Sequence, residues 1–169
     1  DVNTGSVMLL GPVMDSMRAA SILKNIRTLH LRIKKHSKNA QFLARKFQED
    51  GIRVIYPGLN SHPQHKLMME STNSEFGFGG LLVIDMHTKE KANKLMEDMQ
   101  NRNLGYLAVS LGFYKTLFSA PGNSTSSEIP LEDREKMGLS EGLVRISIGL
   151  DDNIERTYSQ MIKCVNNVL

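Results

Sequence analysis

One guanidinium interrupts an otherwise apolar run, Gly142-Leu143-Val144-Arg145-Ile146-Ser147-Ile148-Gly149, and it is the group in this chain best placed for chemistry. Strand alternation sends Val144, Ile146 and Ile148 to one face and Leu143, Arg145 and Ser147 to the other. One face then packs on a core, and the opposite face carries a fixed cation between small or apolar neighbours. Arginine presents a planar fork of donors that matches a carboxylate through two parallel hydrogen bonds, so the strand has the makings of an anion receptor. The competing reading is an ordinary solvated arginine on the wet side of an antiparallel sheet. Ser110 closes a second apolar stretch, and its hydroxyl or backbone N–H could assist Arg145 in holding a carboxylate. The polar run Asn123-Ser124-Thr125-Ser126-Ser127 could close over the same anion.

Other constellations read as structure. His62-Pro63-Gln64-His65 has a metal-like spacing, but no cysteine or second histidine pair accompanies it and Pro63 favours a turn, so no metal is expected. Val109-Ser110-Leu111-Gly112 lacks the small-residue elbow that exposes a hydrolase nucleophile. Gly77-Phe78-Gly79-Gly80 precedes a strand, whereas a phosphate cradle opens a helix, so it is expected to be a turn. The ten methionines suit irregular core space. Lys and Arg outnumber Asp and Glu by only 21 to 18, and the basic residues between Lys24 and Lys46 fit a solvated helical face, so nucleic acid is not an expected partner. No apolar run approaches the roughly 18 residues of a membrane span. The single Cys164 excludes an internal disulfide framework and fits a reducing, cytoplasmic setting.

These groups need elements to hold them. The chain of 169 residues can build one sizeable core. Residues 1–11 read as an arm ending at Gly11-Pro12. Residues 12–50 carry helical spacing too long for one globular helix, with a break expected between Arg32 and Ser37 and Gly51 as C-cap. Residues 51–169 then give strands over 52–56, 81–86, 106–111, 115–119 and the arginine segment. Helices are expected over 64–70, 89–101 with Thr88 as N-cap, 130–137 and 154–168. The order βαβαββαβα implies an α+β fold: a long N-terminal helix, then a small, mostly antiparallel sheet with helices on one face. The face bearing Arg145 is left to water or to another domain.

The ordered set Tyr56-Pro57-Gly58-Leu59, Ser61-His62-Pro63-Gln64-His65, Phe78-Gly79-Gly80, Ala108-Val109-Ser110-Leu111-Gly112 and the arginine strand resembles the C-terminal part of the pyridoxal-phosphate enzymes of cysteine and methionine metabolism. Thr28-Leu29-His30-Leu31-Arg32 is similar to that family's long helix between its two domains. Within the family, Met8-Leu9-Leu10-Gly11-Pro12, Gly77-Phe78-Gly79-Gly80-Leu81-Leu82 and Ser124-Thr125-Ser126-Ser127-Glu128 look closest to the plant-type methionine γ-lyases.

The resemblance implies a C-terminal domain of a fold-type-I, pyridoxal 5'-phosphate-dependent carbon–sulfur lyase. Its substrate would be a sulfur amino acid, and the full-length protein would be a homo-oligomer, a tetramer in relatives. It implies that Arg145 and Ser110 bind the substrate's α-carboxylate, with Val109 and Thr125 beside them, and that Lys115 stands where many relatives carry a glutamate facing the substrate. Two departures accompany it. The last loop reads Ser124-Thr125-Ser126 where the common family form has Met-Thr-His. The Ser-x-Thr-Lys motif of the Schiff-base lysine, and the aspartate that pairs the pyridine nitrogen, have no counterpart in this sequence. The expectation is therefore the substrate-carboxylate half of an enzyme whose cofactor half lies upstream, catalytically inactive by itself. Asp1 in place of Met points the same way. The alternatives are cystathionine γ-lyase or γ-synthase chemistry, or a standalone binding domain that has lost catalysis.

Overall fold

The helical lead is two helices, α1 (Ser16–Ile26) and α2 (Leu29–Glu49), in the computed structural model, which describes residues 14–121, 130–136 and 138–169. Residues up to Leu31 form one unit and Arg32–Leu169 a second. Asp15 caps α1 by accepting the Arg18 amide at 3.0 Å. Along α1, Met17, Ile22, Leu23 and Ile26 are exposed.

The break comes earlier than the sequence suggested, at Arg27-Thr28, where the Thr28 hydroxyl and amide both turn back to the Asn25 carbonyl. A hydroxyl that bonds a nearby carbonyl competes with the helix ladder. Where the break was expected, α2 is continuous, and its polar residues His36, Ser37 and Asn39 are buried anchors. His36 Nδ1 donates to the Ile148 carbonyl at 2.5 Å. Ser37 Oγ accepts from the amides of Phe78 and Gly79. Asn39 Nδ2 donates to the carbonyls of Gly149 and Asp151.

Beyond α2 come β1 (Arg53–Ile55), α3 (His65–Ser71), a 3₁₀ turn (Ser74–Phe76), β2 (Leu81–Asp85), α4 (Lys89–Asn101), β3 (Tyr106–Leu107), β4 (Leu117–Ser119), α5 (Leu131–Lys136), β5 (Leu143–Ser147) and α6 (Ile154–Asn166). The order βαβαββαβα holds. The sheet runs β1-β2-β5-β4-β3 and is antiparallel except for the β3–β4 pair. That parallel pair is possible because residues 108–116 form a long connection between neighbours, where a tight hairpin would have made them antiparallel. Gly77 and Gly79 have positive φ, and the Gly77–Gly80 segment is the expected turn into β2.

One sheet face carries the core. Leu82 and Ile84 of β2, Val144 and Ile146 of β5 and Phe118 of β4 pack with Ala40, Leu43, Ala44 and Phe47 of α2, with Leu95, Met96 and Met99 of α4, and with Met161 and Val165 of α6. Thr88 caps α4 through the Lys91 amide, as its sequence position predicts. Both ends of β5 are pinned by close approach of backbones. A Cβ on Gly142 would fall 2.4 Å from the His87 nitrogen, and one on Gly149 would fall 2.6 Å from the Tyr114 carbonyl oxygen. No helix among the described residues is long and apolar enough to cross a membrane.

Candidate functional site

The central strand presents Arg145 on the face opposite the core, as alternation predicts, and the register fixes its neighbours. Arg145 stands across from Val83 of β2 and from Ser119 of β4. Ser147, two residues on, stands across from Leu81 and Leu117, and Leu143 across from Asp85.

This face is not the wet side of an open sheet. Leu143, Ser147, Leu117, Ser119 and Asp85 are all less than a tenth exposed, while Arg145 itself is half-buried. Its guanidinium makes no ion pair or hydrogen bond to another described residue. The contrast is Arg53, which lies on the same face and is neutralised by Asp85 at 2.9 Å. Asp85, with its side chain fully buried, also accepts from the His87 amide and the Ser140 hydroxyl. One arginine of the face is thus locked into the fold, and the other has its fork of donors unengaged among the described residues.

The loop bearing Ser110 is brought to this place. Its start continues the ladder through the Ala108 amide to the Phe118 carbonyl. It then crosses to β5, where the Gly112 amide donates to Ser147 Oγ at 3.2 Å, and it is held at its far end by the Leu150 amide on the Tyr114 carbonyl. The third strand is therefore shorter than expected: after Leu107 the chain leaves the sheet to make this strap. Ser110 is exposed, two residues before the Gly112 anchor, and its hydroxyl makes no hydrogen bond to Arg145.

Val109 is exposed and lines a cleft of about 490 Å³ with Asn93, Met96, Gln100, Ala108 and Ser119. Neither Arg145 nor Ser110 lines that cleft; it meets their site only through Val109 and Ser119. Lys115 turns onto the edge strand, where its ammonium donates to the Tyr106 hydroxyl at 2.7 Å and lies over that ring. The Tyr106 oxygen holds Lys115 above its ordinary pKa, in the charged form. Thr125 lies outside the described residues. Ser119 escaped sequence reasoning because only the β4–β5 register sets it opposite Arg145.

The rejected motifs are structural. His65 Nδ1 is 2.7 Å from the Pro57 carbonyl oxygen and its ring stacks on Phe78, while His62 Nδ1 accepts the Gln64 amide. No three histidine, cysteine, aspartate or glutamate side chains among the described residues are grouped so as to hold a metal ion. Tyr56, raised to about 12 chiefly by burial, donates to the Gly79 carbonyl and is no acid or base at neutral pH.

A sequence profile of the Cys/Met metabolism PLP-dependent enzymes matches residues 4–156. The chain is 48% identical over 164 residues to a methionine gamma-lyase of Arabidopsis thaliana, covering 96% of this chain and 37% of that protein. It is 34% identical over 157 residues to a cystathionine beta-lyase of Bacillus subtilis, covering 90% of this chain and 39% of that protein. A putative O-acetylhomoserine (thiol)-lyase from Campylobacter jejuni, solved with a pyridoxyl-lysine phosphate, superposes with a TM-score of 0.86 at 29% identity, over 98% of this chain and 38% of that one. The chain thus spans well under half the length of the relatives it matches. The described residues do not by themselves form a seat for that cofactor. Every described lysine is exposed or half-buried, and the one fully buried carboxylate, Asp85, is already engaged by Arg53 and Ser140.

Proposed function

This chain belongs to the Cys/Met metabolism PLP-dependent enzyme family, and from that premise we propose that it is the substrate-carboxylate-binding part of a carbon–sulfur lyase acting on methionine. The observation that carries the reading is Arg145: a guanidinium with no partner among the described residues, on a mostly buried sheet face, beside a strap anchored to the same strand. Such a donor pair in a partly desolvated setting binds a carboxylate more strongly than a solvated arginine does. Arg145 holds the α-carboxylate through two parallel hydrogen bonds. The Ser110 loop adds its hydroxyl or amide from the strap, and the amino acid is thereby oriented with its Cα–H presented to groups outside this chain. Pyridoxal phosphate, when bound, supplies the electron sink for breaking bonds at the amino acid's carbons. Its lysine and its seat belong to residues this chain does not contain.

The overall reaction in the complete enzyme takes methionine and water to methanethiol, ammonia and 2-oxobutanoate. The 48% identity to a plant methionine gamma-lyase supports methionine over cystathionine. Lys115, drawn onto Tyr106, leaves the side-chain end of the substrate as the point where cystathionine lyase or synthase chemistry could differ. Exposed Leu107, Val109, Leu111 and Tyr114 around the strap fit a surface covered by the rest of a homo-oligomeric, cytoplasmic enzyme.

The test is Arg145→Ala in the complete enzyme, with methionine and cystathionine compared as substrates. Loss of a charged hydrogen-bond partner, about 1.5–3 kcal/mol, should raise KM for methionine on the order of ten- to a hundredfold with a smaller effect on kcat. An unchanged KM would sink the assignment, and a preference for cystathionine would move the substrate to the second reading.

A further inference from the structure

Ser119 carries the one buried side-chain polar atom that finds no hydrogen-bond partner among the described residues. Buried hydroxyls are almost always paired, because an unpaired one loses its water and gains nothing. This hydroxyl is not placed at random. Ser119 is the direct register partner of Arg145, on the same face of the sheet, and cross-strand partners have their Cβ atoms about 4.5–5.5 Å apart. Across that gap stands a side chain with five N–H donors, none of them engaged by another described residue. Among the described side chains of this face, Ser147 already accepts the Gly112 amide and Asp85 is paired with Arg53, whereas Ser119 Oγ is the buried acceptor with no partner, directly across from Arg145.

We propose that Ser119 is a positioning residue for the carboxylate site: Arg145 leans across to β4 so that its Nε–H donates to Ser119 Oγ, and anion binding favours that position. The proposal rests on the carboxylate reading for its function, and its geometry stands separately. An arginine fork offers a carboxylate two parallel donors, which leaves further N–H groups needing acceptors of their own. With Ser119 taking the Nε–H, the guanidinium plane is fixed and the remaining nitrogens point away from the strand pair toward the strap. A side chain without that hydroxyl acceptor would leave the plane free to rotate.

The experiment is nitrogen-15 NMR of the full chain, following the Arg145 Nε–Hε signal, assigned by its disappearance in Arg145→Lys. Sodium L-norleucine, a methionine-shaped amino acid without the sulfur, serves as the probe. In the wild-type chain the Hε should exchange with water more slowly than in Ser119→Ala, and norleucine should slow it further. Ser119→Ala should weaken norleucine binding about fivefold, the effect of one modest hydrogen bond, and Ser119→Thr should restore both readouts. A structural role alone would leave the Hε exchange unmoved. Should Ser119→Ala fold poorly, Ser119→Cys keeps the volume with a far weaker acceptor and carries the same expectation. Equal Hε exchange in wild type and Ser119→Ala overturns the proposal. If norleucine leaves Arg145 unmoved in every variant, the carboxylate reading fails, while the Ser119–Arg145 pair is still decided by the probe-free exchange rates.

Discussion

The Gly112 amide donates to Ser147 Oγ across 35 residues of sequence, and this bond fastens the strap bearing Ser110 to the strand bearing Arg145. The strap leaves Leu111, Phe113 and Tyr114 exposed, so little apolar burial replaces the bond if it is lost. Ser147→Ala should therefore cost about 0.5–1.5 kcal/mol in urea unfolding. The sharper readout is local: the Gly112 amide should exchange markedly faster in the variant, with core amides of β2 and β5 unchanged. Equal protection of Gly112 in both chains would show that the strap is held by its other contacts.

Glycine at the ends of β5 answers to space, not to turn geometry. A Cβ on Gly149 would sit 2.6–2.7 Å from backbone atoms of Tyr114, Lys115 and Thr116, none of which can rotate away. Gly149→Ala should cost about 1–3 kcal/mol, in the range of overpacking, with loss of the Gly149 amide bond to Thr116 Oγ1. Gly112 is the control: its φ of +66° is strained for alanine, yet nothing lies within 4 Å of the added carbon. Gly112→Ala should cost about 1 kcal/mol. Thermal unfolding of the two variants side by side checks the order.

Residues whose meaning is periodic could be read from the sequence. Val144, Ile146 and Ile148 mark the core face of β5, Thr88 marks the start of α4, and the element order follows from such signals. What escaped were residues whose meaning depends on a distant partner. Nothing local marks His36, Ser37 and Asn39 as anchors, yet each is buried because Ile148, Phe78, Gly79, Gly149 and Asp151 offer it a backbone group. The same holds at the site. Arg145 stands out by its apolar context, but its neighbour Ser119 and the strap's anchor on Ser147 appear only once the register of β4 on β5 is known. Asp85 likewise reads as a strand-end carboxylate until β1 brings Arg53 against it.

The buried Cys164 gives the fold an alkaline limit. Burial, followed by its interaction as donor with the Asp98 carboxylate, raises its thiol from 9.0 to about 11. An unfolded chain releases that proton near pH 9, while the folded chain keeps it until about pH 11. Between those values the unfolded state binds fewer protons, so stability falls as pH rises. Tyr56, raised from 10.0 to about 12 by burial, acts with the same sign slightly higher. Urea midpoints measured from pH 8 to 10.5 should decline, and Cys164→Ala should flatten the lower part of that decline. A midpoint independent of pH in the parent chain would contradict the burial of both groups.

Pyridoxal phosphate should find no single preferred lysine on this chain. A lysine that captures the cofactor as a covalent partner needs an unprotonated amine, which enzymes obtain by desolvating the side chain or by crowding it with other cations. Neither condition is met among the described lysines. Lys115 is held charged by the Tyr106 hydroxyl, Lys46 is raised by its bond to Glu49, and Lys34 is paired with Glu75. Incubation of the chain with pyridoxal phosphate followed by borohydride should thus leave scattered, substoichiometric pyridoxyl label on several surface lysines, read by peptide mass spectrometry. The carboxylate site should be indifferent to that label, so norleucine binding at Arg145 should persist in the treated chain. One stoichiometric label on a single lysine would instead make the chain a cofactor protein in its own right, and would return the division of labour between Arg145 and an outside lysine to question.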